Sequence, residues 1–217
     1  MAIDRTLHKY TLGEELVNAI SHGLGAAAGI VGLIFLIISS VGQGASVMVG
    51  NILFGASMII LYLGSCIYHA LKRNGAKKVF RILDHCFVYL LIIGTYAPYS
   101  IAVVGGVKAY VLYIINCCIG AIGITLTAID MKRFSKISML CYIVMGWLII
   151  MNISGVYSAL PKLSFYLLFF GGVVYTLGAV VYAFGRKKRY IHSVWHFMVL
   201  IANVMHYFSI LYFTVTL

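Results

Sequence analysis

The chain has 217 residues, of which 63% are hydrophobic and only 10% charged, and its mean hydropathy is +1.03. Soluble chains carry about 25% charged residues, so an ordinary soluble domain is excluded, as are disorder, coiled coil, collagen and a disulfide scaffold. A net charge of +11 rests on 16 Lys and Arg against five acids, Asp4, Glu14, Glu15, Asp84 and Asp130. The composition is that of a multi-pass protein of the cell membrane.

A helix crossing the roughly 30 Å hydrocarbon core needs about 20 apolar residues. The uncharged stretch 16–71 is long enough for two such helices, divided by the turn signal Gly42-Gln43-Gly44. The stretches 85–107, 109–129, 137–161, 163–185 and 190–217 supply five more. A membrane β-barrel would instead alternate polar and apolar residues in segments of about ten. The expected fold is an all-α membrane protein with seven transmembrane helices. Residues 1–217 form a single transmembrane domain, in which 1–15 are a short cytoplasmic segment. Residues 1–15 are polar and the first apolar run is too long for a secretory leader. Neither a cleaved signal peptide nor a soluble domain is therefore expected.

Basic residues mark the cytoplasmic side. Arg5, Lys9, Lys72, Arg73, Lys77, Lys78, Arg81, Lys132, Arg133, Lys136 and the run Arg186–Arg189 all fall at the N-terminus or in the even-numbered loops. The odd loops hold only Lys108 and Lys162. The N-terminus is therefore predicted cytoplasmic and the C-terminus extracytoplasmic. This distribution accounts for the positive charge without nucleic acid as a partner. Setting topology is the expected role of the basic loops, and each basic residue at an anionic lipid surface adds about 1 kcal/mol of attraction.

Within the spans, Pro98 is placed to kink the third and Pro161 to open the sixth. Gly25 and Gly29 in span one, and Gly171, Gly172 and Gly178 in span six, predict close helix packing. Cys66, Cys86, Cys117, Cys118 and Cys141 form no CxxC pair and read as buried thiols.

Ionisable groups inside a bilayer are costly and usually functional. His69 precedes Lys72 by three residues, Asp84 follows Arg81 by three, His192 follows Arg189 by three, and His196 lies one turn deeper. At about 1.5 Å per residue, these groups sit roughly 5 to 10 Å inside the cytoplasmic belt. His192 and His196, four apart, share a helix face, as in helical metal sites. With His69 they make three imidazoles, which with a water form a catalytic zinc arrangement. Asp84 would accept from that water or take its proton. The competing reading is a buried histidine–aspartate hydrogen-bond network with no metal. Ser65, one turn before His69, is placed to support it or the water. Glu15, Asn18 and His22 share one face of span one and either line the entrance or bond between helices. His85 points away from Asp84 and reads as structural. His206, ten residues beyond His196, is expected to bond another helix. Cys66 and Cys86 are rival ligands by depth.

The set Glu15-x-x-Asn18-x-x-x-His22-x-x-Gly25, Ser65-x-x-x-His69, Leu83-Asp84, Gly94-Thr95-Tyr96-x-Pro98 and His192-x-x-x-His196, followed by His206-x-Phe208, resembles the hemolysin III family. Gly146-Trp147 and Gly171-Gly172-x-x-Tyr175-x-x-Gly178 add to it. That family belongs with the adiponectin and progestin receptors in a seven-helix superfamily. The resemblance runs from Glu15 to Phe208. It implies zinc held by His69, His192 and His196, with Asp84 engaging the zinc water. No long N-terminal domain is expected, so a hormone-receptor role does not transfer.

Two functions follow as expectations. One is a ceramidase-like, zinc-dependent intramembrane hydrolase of lipid amides or esters, with membrane lipids as partners and substrate. The other is a non-enzymatic lytic, pore-forming or sensor protein whose metal is structural, which calls for four protein ligands.

Overall fold

A computed structural model describes residues 10–185 and 188–217. Asp4, Arg5, Lys9, Arg186 and Lys187 of the charge pattern, and most of the expected 1–15 segment, lie outside the described residues. The described chain is helical: α1 (Leu12–Ser40), α2 (Ala45–Ala70), α3 (Gly75–Ala97), α4 (Gly106–Trp147), α5 (Ile153–Ala159), α6 (Lys162–Gly185) and α7 (Ile191–Thr216). Six helical stretches among them are long and apolar enough to cross a membrane.

Local chemistry sets the ends of these helices. Thr11 caps α1 in a reciprocal box: its hydroxyl accepts from the Glu14 amide, and the Glu14 carboxylate accepts from the Thr11 amide. The expected turn between α1 and α2 forms at Gly42 and Gly44, whose φ angles of 86° and 99° favour glycine. Asn74 caps α3 by accepting from the Lys77 amide at 3.0 Å. Pro98, with no amide to donate, ends the regular part of α3, and a π-helical turn runs from Pro98 to Val104. There α2 passes so close that a Cβ on Gly50 would lie 2.7 Å from the Pro98 Cα.

The stretch from Gly106 to Ala159 is 54 residues long, about 80 Å if straight. It is not straight. Asp130 has φ −154° and ψ 88°, far from helical values. Across that break the Thr127 and Ser138 hydroxyls meet at 3.2 Å, and Asn116 donates to the Met145 carbonyl at 3.2 Å. Residues 29 apart in sequence can bond only if the chain doubles back, so α4 is a helical hairpin. Asp130 itself accepts from the Arg133 amide at 3.0 Å, starting the returning limb as a cap would.

The distribution of side chains is inverted relative to a soluble bundle. Asn18, Asn51, Asn116, Thr127, Ser164, Ser209 and Thr214 are fully buried, whereas Leu12 is 75% and Phe184 89% exposed. Hydrocarbon around the bundle removes the drive to hide leucine, while any polar group facing it would lose its hydrogen bonds. Bonds between helices use part of this buried polarity, while the Asn18, Asn51 and Asn116 amide oxygens and the Ser164 hydroxyl bond no described protein atom. Asn203 of α7 donates to the Tyr62 hydroxyl of α2 and accepts from Tyr175 of α6, at 2.8 and 2.7 Å. Asn51 donates to Ser40 and Thr214, tying α1, α2 and α7 at the end remote from His192.

The small residues act as expected. Gly25 and Gly29 let α1 lie against Tyr62 and Met58 of α2, and Gly25 also admits Leu200 of α7. Gly178 accommodates Trp195 and Met198. His206 meets the Leu168 carbonyl of α6 at 3.1 Å, the interhelical bond anticipated for it. The cysteines are free, but only Cys86 is buried; Cys118 faces outward, because a thiol is apolar enough to meet lipid.

Candidate metal centre

His69 occupies the last turn of α2, and His192 and His196 the first two turns of α7. Two ties on α1 bring these helix ends together. The Glu14 carboxylate accepts from the Tyr190 amide at 2.8 Å, satisfying the N-cap of α7, which has no side-chain cap. Tyr190 has φ 61°, so this bond supports a left-handed residue at the start of the helix. One residue later, the Glu15 carboxylate meets His69 Nδ1 at 2.7 Å. Adjacent acids on one turn thus hold the starts of α1 and α7 and the end of α2 in register.

The three imidazoles converge by their Nε2 atoms. His192 Nε2 stands 3.3 Å from His69 Nε2 and 3.1 Å from His196 Nε2. One ligand atom from each of the three lies within 4.8 Å of the others, and all three residues are buried. Glu15 accepts a hydrogen bond from His69 Nδ1–H, which leaves the His69 Nε2 lone pair facing its partners. His192 Nε2 cannot at once donate to His69 and accept from His196 using a single nitrogen. A proton network therefore shares at best one N–H between two neighbours, whereas a shared cation engages all three nitrogens. Nitrogens held at about 2.0–2.1 Å around a tetrahedral ion stand about 3.3 Å apart, which matches these spacings. The group can hold a metal ion.

Among the described residues, no fourth His, Cys, Asp or Glu joins the group. Cys66 and Cys86, considered as rivals, are not part of it. Asp84 is buried and outside the group; its carboxylate lies 3.9 Å from His85 Nδ1. His85 Nδ1 meets the Arg81 carbonyl at 2.9 Å, in keeping with its structural reading. Ser65 is buried below His69, but its hydroxyl bonds no described protein atom. It therefore does not support His69 directly.

The α1 face, expected either to line the entrance or to bond between helices, packs on the candidate ligands. Glu15 bonds His69, and Asn18 Nδ2 stands 3.5 Å from the same nitrogen, a neighbour at the limit of bonding. The His22 ring stacks on His196, with centroids 3.8 Å apart and planes 27° apart. Neither His22 nitrogen has a described protein partner.

Two residues at the site carried no expectation. Tyr10 stacks on His192 at 5.1 Å and 23°, and burial pushes its phenol up, keeping it protonated. Lys77, counted only as a topology charge, is 2% exposed and bonds Glu15 Oε1 at 2.8 Å. It sits in the first turn of α3, where the helix dipole disfavours a cation. That misfit was the available signal that Lys77 has an acidic partner.

Two hollows flank the centre. A small polar cleft beside His192 is lined by Tyr10, Tyr68, Arg81, His85, Tyr182 and Lys188. An apolar cavity of about 120 Å³ lies between α3, the α4 hairpin, α6 and α7. Its walls include Leu91, Tyr99, Trp147 and Phe165, and it reaches Trp195 and Val199, which flank His196 along α7.

The fold and site define a multi-pass helical membrane protein with a buried three-histidine cluster able to take a metal. The family model described as "Haemolysin-III related" matches residues 10–207. The chain is 40% identical over 201 residues to "Hemolysin-3" of Bacillus cereus, covering 92% of this chain and 91% of that protein. It is 35% identical over 207 residues to "Hemolysin-3 homolog" of Bacillus subtilis (strain 168), covering 95% and 97%. A more distant similarity, 22% over 169 residues, links it to "Monocyte to macrophage differentiation factor" of Homo sapiens, covering 73% and 67%. The chain belongs to the haemolysin III family and is a multi-pass integral membrane protein.

Elemental analysis of detergent-purified protein should find one transition-metal ion per chain, lost in His192→Ala while the helical circular dichroism is kept. Metal-free wild-type protein that stays metal-free after incubation with Zn2+ would contradict the convergent site.

Proposed function

We propose that this protein is a zinc-dependent intramembrane hydrolase acting on an amide or ester bond of a membrane lipid. The observation that carries the reading is the set of three buried imidazoles with no fourth described protein ligand, which leaves a coordination position for chemistry. His69, His192 and His196 would hold the ion. When bound, zinc supplies Lewis acidity that polarises a carbonyl and lowers the pKa of a water to about 7. Imidazole donors favour zinc among abundant ions, though they suit copper, nickel and iron as well.

The chain's own residues divide the remaining work. Asp84, buried on α3, is the general base, receiving the proton of the attacking water on its carboxylate. Glu15 fixes the tautomer of His69. The apolar cavity beside His196 takes the acyl chain, and the polar cleft at Tyr10 and Arg81 takes the headgroup side. Lipid amides are the first substrate class to test, since the superfamily that the sequence resembles includes ceramidases. Across a panel of lipid amides and esters, His69→Ala, His196→Ala and Asp84→Asn should each abolish turnover by protein that remains folded. A wild-type preparation with full metal content that hydrolyses none of them would remove the reading.

The names of the bacterial relatives favour a second reading, membrane lysis. Against it, the Asn51 and Asn203 amides donate to side chains of neighbouring helices rather than to a water-filled lumen. Liposome leakage caused by the wild type, and persisting in the His192→Ala/His196→Ala variant, would favour lysis over hydrolysis.

The topology is part of the same proposal. If each limb of the α4 hairpin crosses the membrane, the count is seven, with the N-terminus cytoplasmic and the C-terminus extracytoplasmic. Single cysteines introduced at Lys132 and Lys108 into a cysteine-free background should then be labelled from opposite sides in intact cells. Labelling of both from one side would refute the count.

A further inference from the structure

The Lys77 ammonium is enclosed, and each of its three protons has an acceptor. Nζ stands 2.8 Å from Glu15 Oε1, 3.0 Å from the Leu71 carbonyl and 3.4 Å from the His69 carbonyl. The Tyr68 ring lies 5.0 Å away. The other Glu15 oxygen is the one that meets His69 Nδ1. A single carboxylate thus bridges a buried lysine on α3 and a candidate ligand on α2. A lysine needed only for topology would extend into the headgroups, as long basic side chains do near helix ends. This one turns inward at the cost of its hydration.

We propose that Lys77 is a positioning residue of the metal centre. It holds the Glu15 carboxylate in place through Oε1, so that Oε2 keeps His69 Nε2 aimed at the ion. The inference rests on the metal-centre reading and adds to it a third layer, lysine to carboxylate to imidazole. Carboxylates that orient ligand imidazoles raise ligand basicity, and losing such a partner lowers metal affinity about 10–100-fold. Without Lys77, Glu15 would lose the ammonium 2.8 Å from Oε1 and be freer to turn from His69 toward water. The two carbonyl bonds offer a simpler role, that of a C-terminal cap on α2. Such a cap would act on stability alone and independently of Glu15.

The test is a double-mutant cycle on full-length protein in detergent, with Zn2+ affinity read by chelator competition and ligand geometry by the visible bands of bound Co2+. Lys77→Met should weaken Zn2+ binding roughly tenfold or more and shift the Co2+ bands. In a Glu15→Gln background the same substitution should change neither reading. The doubly neutral variant leaves no buried ion unpaired; if either single variant does not fold, Zn2+ affinity in the double variant equal to wild type overturns the proposal, and a roughly tenfold or greater loss supports it. Unchanged affinity in Lys77→Met, or a further loss on adding it to Glu15→Gln, overturns the proposal. Wild-type protein that binds neither ion removes the metal centre itself, an outcome distinct from both.

Discussion

The structure depends on how a carboxylate in a low-dielectric interior finds partners. A charge withdrawn from water is tolerated only when it is paired and its hydrogen bonds are filled. Glu14 and Glu15 meet that requirement in different directions, Glu14 toward the Thr11 and Tyr190 amides and Glu15 toward His69 and Lys77. Together they tie α1, α2, α3 and α7 at one end of the bundle. These pairings hold the helix ends at which the three Nε2 atoms meet.

The same principle organises the rest of the bundle with neutral groups. Asn203 joins α2, α6 and α7, and Asn51 joins α1, α2 and α7 about 30 Å farther along the helix axis from His192. Glycines then set how closely the helices approach, most tightly where Gly50 meets Pro98. A rigid far end matters to the site because a metal centre built from two helix termini is only as well placed as the helices themselves. No described α1 residue lines the cavity, and neither Glu15 nor Lys77 borders it, so a guest there does not touch the Glu15 bridge.

Charge spacing made the helices legible, because lipid forbids charge in the middle of a span. The ligand set was legible from spacing and depth: His192 and His196 share a face, and His69 and His192 stand equally far from basic residues. The Asp130 break was marked only by charge, since Gly106–Trp147 is otherwise continuously helical. Lys77 was misread because counting basic residues treats every lysine as solvated, and whether one turns inward depends on a partner 62 positions away. Tyr10 and the stacking of His22 on His196 were equally hidden, since ring stacking across helices leaves no periodicity in the chain. The hydroxyl of Ser65, placed correctly beneath His69, finds no protein acceptor there, because sequence spacing gives a residue's level and not its bonding direction.

What distinguishes a reactive centre from a structural clasp is the number of protein atoms around the ion. X-ray absorption at the zinc edge of metal-loaded protein measures that number directly. The account predicts three imidazole nitrogens at about 2.0–2.1 Å and one further oxygen from solvent. Sulfur in the coordination shell, or fewer than three imidazoles, would contradict it.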